Sequence, residues 1–119
     1  MATLVDPDFH ARLRAISEKY AVTVPDLLGA IAAALAECRS GAWAAAPTLA
    51  LHRALHAVAG TGGTFGFGVL GGECRRLEHL LRALIDGVAI DVAQGQALGA
   101  QVATLLDWAG RDPKAGPAP

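Results

Sequence analysis

The sequence predicts an all-α fold, an antiparallel up-down four-helix bundle with an additional N-terminal helix capping one end. Three observations predict it. Apolar residues recur at helical spacing through several separate stretches, with Leu51, Leu55 and Val58 at i, i+4 and i+7 as the clearest case. The connections between these stretches are too short for anything but antiparallel neighbours. The composition is 53% hydrophobic, carried mostly by Ala and Leu, and no stretch alternates β-branched and polar residues as a strand would.

The elements follow in order. Asp6-Pro7-Asp8 opens the first helix, about 6–21, with Asp6 as N-cap and Pro7 at the first helical position. Phe9, Leu13, Ile16 and Tyr20 form its apolar stripe, with Arg12, Arg14, Glu18 and Lys19 outward. At 22–25 the pattern is interrupted. Thr23 and Asp26 have the spacing of a capping box, and Pro25 fits a first turn, where its missing N–H costs nothing. A second helix, 24–40, places Leu28, Ile31, Leu35 and Cys38 on one face and ends at Ser40-Gly41. The central helix, 46–64, tolerates Pro47 only in its first turn, and its apolar period continues to Phe65. After Gly66–Gly68 comes a helix over 67–86 that buries Leu70, Cys74, Leu77, Leu81 and Leu84. The last helix, 90–109, buries Leu98, Val102, Leu105 and part of Trp108. Residues 1–112 therefore form the bundle, and the Ala/Gly/Pro-rich 113–119 are expected to be a disordered tail.

Totals exclude several classes of function. With 119 residues the chain is one domain, and a net charge of −1 gives no electrostatic footprint for a nucleic acid. Gly, Arg, His and Asp interrupt each apolar run, so no membrane span is expected. The start lacks a basic segment followed by an apolar core, so secretion is not expected either. Cys38 and Cys74 lack C-x-x-C spacing and fall on apolar faces, as reduced thiols of a cytoplasmic protein would. The apolar stripes are no wider than one bundle core requires, and a monomer is expected.

One helix carries an unusual site. His56 is one residue past Leu55, hence off the buried stripe and towards solvent, and Gly60 lies one turn above it. Glycine there costs roughly 1 kcal/mol of helix propensity against alanine and leaves the imidazole uncovered. An uncovered histidine beside Ala57, Ala59, Gly60 and Gly63 offers a smooth, small-residue surface that another protein can approach.

The run His56-Ala57-Val58-Ala59-Gly60, then Gly66 and the later Leu77-Glu78, resembles the signature of histidine-containing phosphotransfer (HPt) domains, H-x-[apolar]-K-G-x5-G followed by a helix with a Leu-Glu pair. The resemblance covers about residues 45–85. It implies a helical bundle whose His56 carries a phosphoryl group on Nε2 between response-regulator receiver domains, or from a histidine kinase. It implies, too, that the receiver supplies the aspartate, a Mg²⁺ ion and a lysine, and that the domain neither binds ATP nor hydrolyses anything. In agreement, the chain has no glycine loop ending in Gly-Lys-Ser/Thr.

Ala59 departs from the family, which often has lysine there to help hold the phosphate. Arg53, three residues before His56, and Arg75 and Arg76 on the next helix are the candidate replacements. Glu78 is expected to face water ahead of accepting a hydrogen bond from His56 Nδ1. His52 pairs with His56 at i, i+4, a spacing able to hold zinc, but two ligands are too few and no metal is expected. His10 and His79 read as surface residues. A degenerate HPt-like bundle that binds a receiver or kinase without being phosphorylated is the alternative, supported by Ala59. A purely structural helical module, with His56 incidental, is a further one.

Overall fold

A computed structural model describes residues 7–87 and 89–117 of the chain; Asp6, expected to be the first N-cap, lies outside them. Four helices account for the described residues: α1 (Pro7–Ser40), α2 (Ala45–Thr61), α3 (Gly68–Ile85) and α4 (Val92–Arg111), and no strand occurs among them. Helix α1 packs on α2 and α4, and α3 packs on the same two, so the helices close a ring in chain order with short turns between them. This is the expected up-down bundle.

The N-terminal part differs from expectation. The capping helix expected at 6–21 and the helix expected at 24–40 are one continuous helix of 34 residues, with Pro25 inside it. Thr23 does not cap Asp26: its hydroxyl donates back to the carbonyl of Tyr20 at 2.7 Å, a bond made within a helix. Proline removes one backbone donor at this point, a loss a helix survives when its other contacts hold it. Val24, 2% exposed, and half-buried Leu28 supply those contacts on either side of Pro25. A rod of about 51 Å results, which explains the elongated 58 × 28 × 26 Å envelope. Its first turns leave Leu13 and Ile16 exposed instead of covering the bundle's end.

Helix α1 also corrects the expectation that no apolar run reaches the length of a membrane span. By length and composition alone it is the one described helix that qualifies. Its charged residues lie mainly in its first half. The same test passes core helices of bundles, and Ile31, Ala34, Leu35 and Cys38 are buried against the other helices here.

The α1–α2 turn bends through two non-glycine residues in the left-handed region, Ala42 (φ 53°) and Trp43 (φ 59°). Such residues are held there only by their surroundings. The Trp43 ring lies against α4, where a side chain at Gly95 would come within 2.4 Å of its Nε1. Helix α2 then starts with Pro47 in its first turn, as expected, and buried Thr48 donates to the Ala44 carbonyl at 2.7 Å. Helix α4 starts with a capping box: the Asp91 carboxylate accepts from Gln94 N–H at 2.8 Å, and Asp91 N–H donates to Gln94 Oε1 at 3.0 Å.

Helix α2 ends at Thr61, so Phe65 is not the last residue of its stripe. Residues 62–66 are a turn, closed by Gly66 at φ +92°. Phe65 stacks at an angle on Tyr20 with centroids 5.1 Å apart, and its carbonyl accepts from Ser17 Oγ at 2.7 Å. The buried aromatic of this region is Phe67, 1% exposed. Past α4, residues 113–117 turn back, with Lys114 Nζ 5.0 Å from the Phe67 ring centroid. Cys38 and Cys74 are buried free thiols. Burial, followed by the Glu73 and Glu78 charges, pushes the Cys74 thiol up to about 12.

Candidate functional site

The residues that end α2 and the first turn of α3 approach closely at two glycines. A Cβ on Gly62 would lie 3.1 Å from Gly71 Cα, and one on Gly71 would lie 2.9 Å from Gly63 N. These glycines therefore let two segments of this chain touch, a use the sequence reading did not assign. Gly60 and Gly63 have nothing within 4 Å of an added Cβ and are exposed, so the surface above His56 is open. Ala57 is exposed as well, whereas Ala59, expected on the same surface, is buried at 5% exposure. It follows Leu55 by one turn and faces α3.

His56 projects from α2 with its side chain 68% exposed. Its Nδ1 lies 2.6 Å from Glu78 Oε1 on α3. Glu78 is 8% exposed, so it does not face water as expected. The cause lies in spacing: Cys74, Leu77, Glu78 and Leu81 fall at i, i+3, i+4 and i+7, and Glu78 shares the buried face of α3. A carboxylate only accepts, so Nδ1 is the protonated nitrogen and the lone pair is left on Nε2. Nε2 is at the far side of a ring whose side chain is 68% exposed. One ring nitrogen is anchored by the carboxylate and the other keeps its lone pair.

His52, one turn earlier on α2, lies behind this pair with its side chain 14% exposed. Its ring is parallel to that of His56 within 8°, with centroids 6.3 Å apart. His52 Nε2 is 4.0 Å from the same Glu78 Oε1. Burial first, then the Arg82 charge, lowers its pKa from the ordinary value, against an opposing pull from Glu78. No group of three His, Cys, Asp or Glu side chains is arranged to hold a metal among the described residues.

Of the three candidate arginines, Arg75 is brought to α2: its Nη2 donates to the Ala59 carbonyl at 2.9 Å. That carbonyl belongs to the last turn of α2, where acceptors lack helical donors and a cation is favoured. Arg76 turns the other way, to Glu73 at 2.9 Å and to Gln101 on α4 at 2.7 Å. It is not part of the site. Arg53 is exposed on α2, and its charge acts on His52. His79 and His10 are exposed, the latter edge-on to Phe9.

The family model of the Hpt domain matches residues 15–108, most of the chain and all of this site. The chain belongs to the Hpt domain family. Hpt domains act in phosphorelays by histidine phosphotransfer, and in general they interact with receiver domains and histidine kinases. No curated protein and no solved structure matches the chain. In this Hpt domain the histidine singled out by the H-x-x-x-G spacing is the one whose Nδ1 is held by a buried carboxylate.

Proposed function

We propose that this Hpt domain carries a phosphoryl group on Nε2 of His56 between receiver-domain aspartates, or from a histidine kinase system. The observation that supports this best is the 2.6 Å contact from His56 Nδ1 to Glu78 on a side chain that is otherwise 68% exposed. In the forward step the Nε2 lone pair attacks the phosphorus of a receiver's aspartyl phosphate. The N–P bond forms as the P–O bond to aspartate breaks, and its electron pair stays on the aspartate carboxylate. The Nδ1 proton remains on the ring, which gains positive charge, and Glu78 balances that charge at contact distance. Reversal onto a second receiver's aspartate completes the relay.

The remaining requirements are positioning and neutralisation of the transferred group. Mg²⁺ and a lysine come from the receiver in this reading. Arg75, already laid against Ala59, supplies the cation that a lysine at position 59 would otherwise give. The receiver docks on Ala57, Gly60 and Gly63 through a small, quickly released contact of the weak class. The domain works as a cytoplasmic monomer, without kinase or hydrolase activity of its own.

The test is transfer from a labelled phospho-receiver of the same organism to wild type and to His56→Gln. Acid-labile, base-stable label on wild type alone is the expected result. Label on neither, with receiver binding retained, would replace this reading by that of an unphosphorylated binding module, which Ala59 favours.

A further inference from the structure

We propose that His52 is a positioning residue for transfer at His56, acting through the Glu78 carboxylate oxygen that both imidazoles approach. The inference rests on the carrier reading above and adds to it a requirement: His52 must stay uncharged while His56 reacts.

The geometry leads there. Glu78 Oε1 accepts the hydrogen bond from His56 Nδ1 at 2.6 Å and also has His52 Nε2 at 4.0 Å. With His52 neutral, the carboxylate charge is directed to His56 alone. A proton on His52 acts in two ways. It turns the 4.0 Å contact into an ion pair that competes for Oε1. It also sets a cation 6.3 Å, ring centre to ring centre, from an imidazole that must itself become positive as Nε2 attacks. At that distance a like charge slows the step by about threefold at the dielectric of water and by up to about ninetyfold at that of a protein surface.

The charges that act on His52 come from Glu78 and Arg82 on α3 and from Arg53 and His56 on α2. Burial, Arg82, His56 and Arg53 all oppose its protonation, and Glu78 alone favours it. The balance lowers the His52 pKa from its ordinary value of 6.5 and so favours the neutral ring.

The test uses the full chain as wild type, His52→Asn and His52→Lys. Imidazole nitrogen resonances are followed by NMR through an acid titration without any phosphate donor. Wild type is expected to show the His52 protonation as a second inflection at His56 Nδ1, absent from His52→Asn. Transfer from a phospho-receiver is then compared between pH 8 and pH 5.5. His52→Asn is expected to be slower than wild type at pH 8, and its rate relative to wild type should rise at least about threefold as pH falls through the His52 inflection seen by NMR. His52→Lys should transfer about tenfold more slowly than wild type at pH 8. A ratio of His52→Asn to wild type that is constant with pH, or a His56 Nδ1 titration untouched by the substitution, would overturn the proposal. Should His52→Lys not fold, the asparagine variant decides alone. If no form accepts phosphate, the carrier reading fails, and the NMR inflection still decides whether His52 acts on His56.

Discussion

Replacing Glu78 by glutamine removes a charge and little else. The side chain keeps its length and its place on the buried face of α3, so the helices should stay packed. What changes is the partner of His56 Nδ1, now 2.6 Å from a carboxylate oxygen. A neutral amide oxygen accepts the same proton, but it does not balance the positive charge that the ring gains as Nε2 attacks. Hydrogen bonds to charged groups contribute about 1.5–3 kcal/mol, against about 1 for neutral ones. The difference of roughly 0.5–2 kcal/mol is a slowing of about 2- to 30-fold. An amide turned to present its NH2 group would add to this, because it would drive the proton to Nε2 and remove the nucleophilic lone pair. The assay is single-turnover transfer from a phospho-receiver under rapid quench, with the tautomer read from the imidazole nitrogen shifts. Rates equal to wild type, with Nδ1 still protonated, would refute the claim that Glu78 charge assists transfer.

Other substitutions separate the roles of neighbouring groups. Arg75→Ala should shorten the lifetime of phosphorylated His56 or slow its formation several-fold, whereas Arg76→Ala, which only frees Glu73 and Gln101, should leave both near wild type; label decay measures each. Gly71→Val should lower Tm, since even its Cβ would sit 2.9 Å from Gly63 N, with overpacking of this kind costing about 1–3 kcal/mol. By contrast Gly60→Ala, with open space around the new methyl, should raise stability by about 0.5–1 kcal/mol in a denaturant titration. Cys74 predicts an alkaline weakness. Its folded pKa of about 12 lies above the ordinary 9.0, so the buried thiol's contribution is complete below pH 9 and declines as pH rises towards 12. Cys74→Ala should flatten that limb of a stability–pH curve.

Much of the bundle was legible because its signal is local. Leu51, Leu55 and Val58 lie one turn apart, and all three are fully buried. The failures came where a local rule competes with a distant contact. Thr23 and Pro25 carry the signs of a helix start, yet packing of Val24 and Leu28 into the bundle outweighs one missing backbone donor. Phe65 continues the period of α2 on paper, but Gly62 is needed for contact with Gly71, and the helix stops before Phe65 is reached. The left-handed Ala42 and Trp43 have no sequence signature at all, since what fixes them is the fit of an indole over Gly95. At the site, the position of His56 could be read from its spacing to Gly60. The burial of Glu78 was equally readable from Cys74, Leu77 and Leu81, and was missed because a glutamate is ordinarily a surface residue. The company of His52 could not be read from α2 alone, because it depends on which turn of α3 lies opposite.

That register has an identifiable origin. Gly62 and Gly71 bring the end of α2 and the start of α3 into contact. From there the two helices run apart in sequence and side by side in space. Three residues back from Gly62 is Ala59, whose carbonyl meets Arg75, four residues on from Gly71. Three further back is His56, bonded to Glu78, three further on. Four further back is His52, and four further on is Arg82, whose charge acts on it. Each step along α2 is matched to within one residue, about 1.5 Å of rise, by a step along α3. A hydrogen bond weakens steeply over a displacement of that size. The glycine contact, about two turns from the histidine, thus sets whether Nδ1 finds its carboxylate. Gly71→Val should therefore loosen the His56–Glu78 bond as well as the fold, and its loss of transfer should exceed that of an equally destabilised variant at Leu105, which lies on α4.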